Sequence, residues 1–401
     1  MEDKIVLISK DALRKSALPI YGGNYWETPN IDSLAEKGTI FTNYYTAGGS
    51  TAMAFTAMAL GQNLFETDRK LYDGNESSQN GDTLFDKLYD AGYDVHIAWD
   101  KSYDTFAKKH FKCEGLHTKV HVLDNIIPHP LPHINGKFDD LTFIDEETEK
   151  GLALVESLFE EIGNIEGKVF LWFHLPHVFR GRNSYDSDID VFDNIIGMAR
   201  KYFSDESIYV SADHGQMNGM KGKFSYGYDV ENNVIQIPLI TPRKDGKHIN
   251  DQLLSNTQLA QIFGLEEIKQ QEFVYCETAY YAQPFRKMAI VHGHYKLVYD
   301  KYNKSFSLYD LQWDPEENLN LYYTEFFDVD RKCWYSLNQR FYYPHWDEAN
   351  SEREILLNEY KRVWKNGTFF EELYQGIYTR MKLLASRILN RVPKEIISIG
   401  K

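Results

Sequence analysis

Apolar residues along this 401-residue chain fall into two kinds of stretch that take turns. Short, nearly unbroken runs (Ile5 to Ile8, Val95 to Trp99, Lys168 to Phe173 and Ile208 to Ser211) read as buried central strands, because a strand covered on both faces has no polar side to alternate with. Between them lie segments whose apolar positions recur at helical spacing. These are Ile31 to Lys37 closed by Gly38, Thr83 to Ala91 stopped at Gly92, Glu146 to Ile165, and Ile189 to Phe203. Val234 to Thr241 is expected to resume as strand. Strand and helix in alternation predict an α/β fold with a mostly parallel central sheet flanked by helices.

Several predicted strands are followed at once by polar groups. Asp11 follows the first, His177 follows the run ending at Phe173, and Asp213-His214 follows Ile208 to Ser211. The carboxyl edge of a parallel sheet is where α/β proteins bind ligands, so residues distant in sequence are brought towards one crevice. Two aspartates and a histidine form an oxygen-rich set with one nitrogen, suited to Zn²⁺ or Mn²⁺. Each taken singly is equally a satisfied polar residue at a strand end.

The segment Thr46 to Gln62 adds a hydroxyl. Gly48 and Gly49 precede Ser50 and Thr51, which head an Ala/Met/Leu run predicted to be helical until Gly61. A helix N-terminus favours anions through its free N–H groups and dipole, so Thr51 stands where a nucleophile attacking an anionic ester is useful. The plain alternative is that Ser50 or Thr51 only caps a buried helix. The glycine-punctuated loop after Asp213-His214 carries Lys221 and Lys223, either of which could meet negative charge. From His110 to about Asp145, prolines 128, 130 and 132 mark a loop, and His121, His129 and His133 are read there as surface residues rather than ligands.

Composition narrows the class of partner. A formal net charge of -15 excludes a non-specific grip on nucleic acid, and it requires that an anionic substrate be met by local cations or a metal. The three cysteines, Cys113, Cys276 and Cys333, have neither metal spacing nor a disulfide pattern. No apolar run approaches the roughly 18 residues of a membrane span, and no signal-like start is present, so a cytoplasmic location is expected.

Six motifs in order resemble the sulfatase branch of the alkaline phosphatase superfamily, over most of the chain up to about Tyr323. They are Ile5 to Arg14 with Asp11 and Leu13-Arg14; Thr28-Pro29-Asn30-Ile31-Asp32-Ser33-Leu34-Ala35 with Gly38 and Phe41; Asp193 with Gly197; Ser211 to Gly215; Pro238-Leu239-Ile240; and the C-terminal pair Gly293 to Leu297 and Leu308 to Leu319. The resemblance implies an alkaline phosphatase/sulfatase-like fold with a small C-terminal antiparallel sheet. It divides the chain into a catalytic α/β domain at 1–245, a C-terminal subdomain at 246–325 and an aromatic-rich, helical extension at 326–401.

Departures from the family pattern direct the chemistry. Thr51 falls where sulfatases carry the cysteine or serine that is oxidised to formylglycine, with Met53 and Ala54 in place of the usual Pro-Ser. Threonine is not a substrate for that oxidation. The set resembles instead the phosphoglycerol and phosphoethanolamine transferases, which implies one divalent metal held by Asp11, Thr51, Asp213 and His214. Ala12 replaces an aspartate of the sulfatase calcium site, so Zn or Mn is expected in preference to Ca, which takes about six to eight oxygens. Gly197 stands where a second-metal histidine would be.

The expected activity is transfer of a phosphoryl group from a phosphate ester, possible carriers being a glycan or a lipid head group, through a phospho-threonine at Thr51. His177 is the expected proton donor to the leaving oxygen, and Lys223 the cation facing the non-bridging oxygens. His96 and Lys101 lie near the place of another family cation. The alternatives are a sulfate- or phosphonate-ester hydrolase without formylglycine, and an inactive binding module. In the extension, Phe370, Leu373, Tyr374, Ile377, Tyr378, Met381, Leu384 and Ile388 share one helical face interleaved with basic residues. That face packs on the protein itself or contacts a membrane surface.

Overall fold

The computed structural model describes residues 3–67, 82–101, 104, 117–124, 126, 146–176, 185–217, 219–223, 226–243, 246–278, 286–323, 325–328, 333–336 and 343–364. In chain order the elements are β1 (Lys4–Lys10), α1 (Pro29–Ala35), β2 (Thr39–Phe41), β3 (Tyr44–Tyr45), α2 (Thr51–Leu60), α3 (Leu84–Asp90), β4 (Asp94–Asp100) and β5 (Thr118–Leu123). Then come α4 (Glu146–Gly163), β6 (Val169–Leu175), α5 (Tyr185–Tyr202), β7 (Ile208–Ala212), β8 (Leu239–Thr241), β9 (His248–Asn250) and β10 (Leu254–Ser255). The last are β11 (Phe273–Thr278), β12 (Lys287–His292), β13 (Tyr295–Asp300), β14 (Ser305–Asp310), the short pair β15 (Glu325–Asp328) and β16 (Cys333–Ser336), and α6 (Trp346–Val363). None of the described helices is long and apolar enough to cross a membrane.

Eight strands form the large sheet in the order β5-β4-β6-β1-β7-β8-β2-β9. From β5 to β7 all neighbours are parallel, whereas β8 is antiparallel to both β7 and β2. The unbroken apolar runs become the central strands because each face has a cover. Val6, Ile8, Leu171, Phe173 and Val210 pack beneath α1, α4 and α5, while Ile5, Leu7, Ile97, Trp172 and Tyr209 pack on the side of α2 and α3. Register then sets the site. Ser9 of β1 lies opposite His174 of β6 and Ser211 of β7, so the strands end level and the residues just beyond β1 and β7 are neighbours.

Asp193 of α5 has a structural task that links two of the sequence motifs. Its carboxylate accepts from the N–H groups of Asn30 (3.1 Å) and Ile31 (2.9 Å) and from Asn30 Nδ2 (2.9 Å), closing the start of α1. Gly197, one turn later, leaves room for Asn30: a Cβ there would sit 2.9 Å from its Nδ2.

Two expectations for the chain path change. Thr118–Leu123 is an edge strand rather than loop, its backbone committed to β4, and its His121 Nε2 lies 2.9 Å from His96 Nδ1. The alternation in Lys119-Val120-His121-Val122 was outweighed by the prolines that follow it. Val234 to Thr241 divides into a helical turn, Asn232–Ile235, and the short β8, because Pro238 interrupts the ladder between them. His129, His133 and the helical face expected from Phe370 to Ile388 lie outside the described residues.

A second sheet, β11-β12-β13-β14, is antiparallel throughout. Its alternating faces have different tasks. Tyr275, Ile290 and Leu297 meet Leu356 and Val363 of α6, while Val274, Cys276 and Val291 meet Val230, Val234 and Ile235 of the loop region after β7. The large sheet also extends past residue 245, since β9 pairs with β2.

Candidate active site

Helix α2 is buried on every side, all ten of its residues included, which explains a composition of Ala, Met, Phe and Leu with no polar stripe. Gly61 ends it in the left-handed conformation (φ 62°), its N–H donating to Ala57 O at 2.9 Å. At the other end Ser50 is the extended residue before the helix, and its side chain makes no capping bond. Thr51 turns away from capping as well. Its Oγ1 lies 3.0 Å from Nε2 of His214.

His214 follows β7 at the same sheet edge. Its Nδ1 donates to Gly215 O at 2.8 Å, since a carbonyl only accepts, which leaves Nε2 as the ring atom facing the site. That nitrogen lies 3.5 Å from Asp11 Oδ1 and 3.4 Å from Asp213 Oδ2. Asp213 Oδ1 accepts from the N–H groups of Ala12 (3.1 Å) and His214 (2.7 Å), whereas no described residue gives its Oδ2 a hydrogen bond. Electron-pair donors from Asp11, Asp213 and His214 thus converge within 4.8 Å of one another, with the Thr51 hydroxyl beside them.

Backbone conformation secures the arrangement. Ala12 adopts φ 60°, which turns its N–H onto Asp213 at a cost on the order of 1–2 kcal/mol for a residue with a Cβ. Asp11 N–H donates to Leu175 O at 2.9 Å, tying the end of β1 to that of β6. Gly215 must be glycine, because a Cβ would lie 2.1 Å from Asn233 O. The ring of Tyr226 covers His214 with centroids 4.2 Å apart.

The donor set fits a divalent cation. Asp11 is 2% exposed, and Asp213 and His214 not at all. Two carboxylates buried side by side cost several kcal/mol without enough positive charge beside them. The strain shows in the proton affinity of Asp213: burial pushes its carboxyl up to about 7, opposed by His214 and reinforced by the negative charge of Asp11. One imidazole nitrogen with two carboxylates could hold a divalent metal ion, and among the described residues this is the one carboxylate-histidine group so gathered.

The remaining sequence expectations fare differently. Asp11, Thr51, Asp213 and His214 come together, whereas His177 lies outside the described residues. Lys223 is half-buried with its ammonium 2.6 Å from Asp229 and 2.5 Å from Glu231, and these carboxylates hold it protonated well beyond neutral pH in spite of its burial. Lys221 donates to Glu317 O at 2.8 Å. His96 and Lys101 bond His121, Asp94 and Asp124 instead.

Sequence reasoning passed over His174. It is wholly buried, its Nδ1 2.9 Å from Ser9 Oγ, which in turn accepts from Trp172 Nε1 at 2.7 Å. Burial pulls its imidazole down to about 3, with Asp11 raising and His214 lowering it, so it stays neutral beside the site. The signal was present in its position, since a histidine in an otherwise apolar central strand lies level with the end of β1.

Comparison with known proteins bears on the fold that carries these residues. Residues 3–178 match the family model described as Sulfatase. An arylsulfatase of Clostridium perfringens is 32% identical over 93 residues, which is 23% of this chain; the match spans 19% of that enzyme's length. Among solved structures, a 2-O GAG sulfatase superposes with TM-score 0.62 at 15% identity, covering 90% of this chain and 92% of the other. The phosphonate monoester hydrolase of Agrobacterium radiobacter gives TM-score 0.64 at 14% identity, covering 90% and 96%. The fold is therefore sulfatase-like.

Proposed function

For a chain that carries a Sulfatase-family domain on a sulfatase-like fold, we propose a metal-dependent hydrolase or transferase that cleaves a phosphate ester, with Thr51 as the nucleophile. The observation that carries this reading is the 3.0 Å contact between Thr51 Oγ1 and His214 Nε2, inside the group formed with Asp11 and Asp213. A divalent cation held by Asp11, Asp213 and His214 would balance their charge and lower the pKa of the adjacent hydroxyl.

The protein's own residues supply the rest. Thr51, anchored on a fully buried helix, offers its oxygen from a fixed position, so little orientational freedom is lost when an ester docks. The Thr51 hydroxyl loses its proton to solvent as its Oγ forms a bond to phosphorus and the bond to the ester oxygen breaks, and the departing alkoxide takes a proton, a role assigned to His177. Water or an acceptor alcohol then cleaves the phospho-threonine and restores the hydroxyl. Lys223 contributes positive charge as part of a cluster that Asp229 and Glu231 balance, which makes it a weaker clamp for an anion than an unpaired lysine. The substrate is accordingly a small anionic ester or a phosphate carried on a glycan or lipid head group.

The second reading is cleavage of sulfate esters by the unmodified threonine, favoured by the arylsulfatase match. Parallel assays of 4-nitrophenyl phosphate, bis(4-nitrophenyl) phosphate and 4-nitrophenyl sulfate on wild type and Thr51→Ala decide between them. Phosphoester turnover that depends on Thr51 supports the proposal. Turnover of the sulfate ester alone replaces it with the second reading.

A further inference from the structure

The loop that presents Thr51 is held from the far side by the C-terminal sheet. Gly49 N–H donates to Glu277 O at 2.9 Å, Glu277 N–H donates to Ala47 O at 3.0 Å, and Gly48 forms an isolated parallel bridge with Glu277. The loop is tightly enclosed: a Cβ on Gly48 would lie 2.5 Å from Ala54 N of α2, and one on Gly49 would press on the C-terminal sheet at 3.1 Å from Thr278 Cβ. Two residues after Gly49 comes Thr51, so the peptide of Glu277 is a direct determinant of where the hydroxyl stands.

The side chain of Glu277 is itself tied down. It is 1% exposed, and it receives both Nε (2.7 Å) and a terminal nitrogen of Arg286, which is 3% exposed. That guanidinium also lies over the ring of Trp364, with Cζ 4.0 Å from the ring centroid. Trp364 closes α6, its N–H donating to Tyr360 O at 2.8 Å. Alternation along β11 gives the reason for this path. Tyr275 and Glu277 point to the α6 side while Val274 and Cys276 point to the domain bearing the site, and the backbone between them touches the Thr51 loop.

We propose that Trp364, Arg286 and Glu277 are positioning residues, forming a relay through which the end of α6 fixes the Ala47–Gly49 backbone and with it the attitude of Thr51. The inference rests on Thr51 being the nucleophile for its catalytic consequence, but its mechanical part does not. A buried carboxylate without its guanidinium must find another partner or a proton, and either response moves the peptide that Gly49 is bonded to. Lysine cannot replace Arg286, because it lacks the planar face for Trp364 and the second donor for Glu277.

Hydrogen exchange read by mass spectrometry on the full chain tests the relay without needing a substrate. Trp364→Ala and Arg286→Lys are expected to speed amide exchange across residues 46–51, Trp364→Phe to restore it, and Glu352→Gln, which loosens α6 at His292 instead, to leave it unchanged. With 4-nitrophenyl phosphate, the first two variants should lose about tenfold or more in kcat while KM stays within about twofold, as misplacement of a reacting group requires. Faster exchange in α6 with 46–51 unaltered would overturn the relay, as would an equal effect from Glu352→Gln. Absence of phosphoester turnover in the wild type would count against the assigned reaction alone, since the exchange pattern still reports the relay.

Discussion

Thr51 Oγ1 and His214 Nε2 are 3.0 Å apart although 163 residues separate them in the chain. The contact exists because a helix start and a strand end are delivered to the same edge of one sheet, and because Nδ1 of His214 is already spent on Gly215 O. Removing the hydroxyl should leave the fold intact, since Thr51 caps nothing. Thr51→Ala is expected to melt within a few degrees of wild type, yet to lose on the order of 10³-fold or more in kcat/KM for phosphoesters. Thr51→Ser retains the oxygen and should keep part of the rate. A large loss of melting temperature in Thr51→Ala would assign the residue to structure instead.

The raised proton affinity of Asp213 predicts how the metal-free protein responds to pH. An unfolded aspartate titrates at about 3.9, and burial lifts this carboxyl to about 7 in the folded chain, so between those values the native state binds the extra proton. Its contribution to stability is full below the lower value and is lost as pH rises through the upper one. In chelator, melting temperature should therefore fall from pH 5 to pH 8, and Asp213→Asn should flatten that slope and stabilise the protein at pH 8. Added Mn²⁺ or Zn²⁺ should raise the wild-type melting temperature at pH 8 and leave Asp213→Asn nearly unchanged. An identical metal response in both proteins would remove Asp213 from the ligand set.

A buried ion pair joins the small sheet to the loop behind the site. Lys296 of β13 is wholly buried, contacts Glu317, and donates to Val230 O (2.9 Å) and Asn232 Oδ1 (3.1 Å). Lys296→Met strands the carboxylate of Glu317 and is expected to cost about 3–5 kcal/mol, seen as a marked drop in melting temperature. Lys296→Met combined with Glu317→Gln should recover part of that loss, because the amide needs no counter-charge. A double variant no better than the single one would show that Glu317 is not the source of the penalty.

Much of this architecture was legible in the sequence, for reasons that differ from one element to the next. The central strands announced themselves as unbroken apolar runs because both faces of the sheet are covered, and α2 was marked at both ends, by Ser50-Thr51 and by Gly61. Asp11, Thr51, Asp213 and His214 could be singled out because each stands at the end of an element on one sheet edge. Thr118–Leu123 was missed because the prolines that follow it marked the whole region as loop and outweighed the alternation of this partly exposed edge strand. The engagement of Lys223 by Asp229 and Glu231, and the neutral His174 beside Ser9, depend on side-chain packing across elements, which no spacing rule along the chain records. For the same reason the contact between Gly49 and Glu277 had no signature beyond the glycine pair itself.

The most direct test is to quench the enzyme with acid during turnover of 4-nitrophenyl phosphate in the presence of Mn²⁺ and to sequence its peptides by mass spectrometry. The account predicts a phosphoryl group on Thr51, absent when the metal is chelated. Steady turnover with Thr51 unmodified, or turnover that persists in Thr51→Ala, would contradict it.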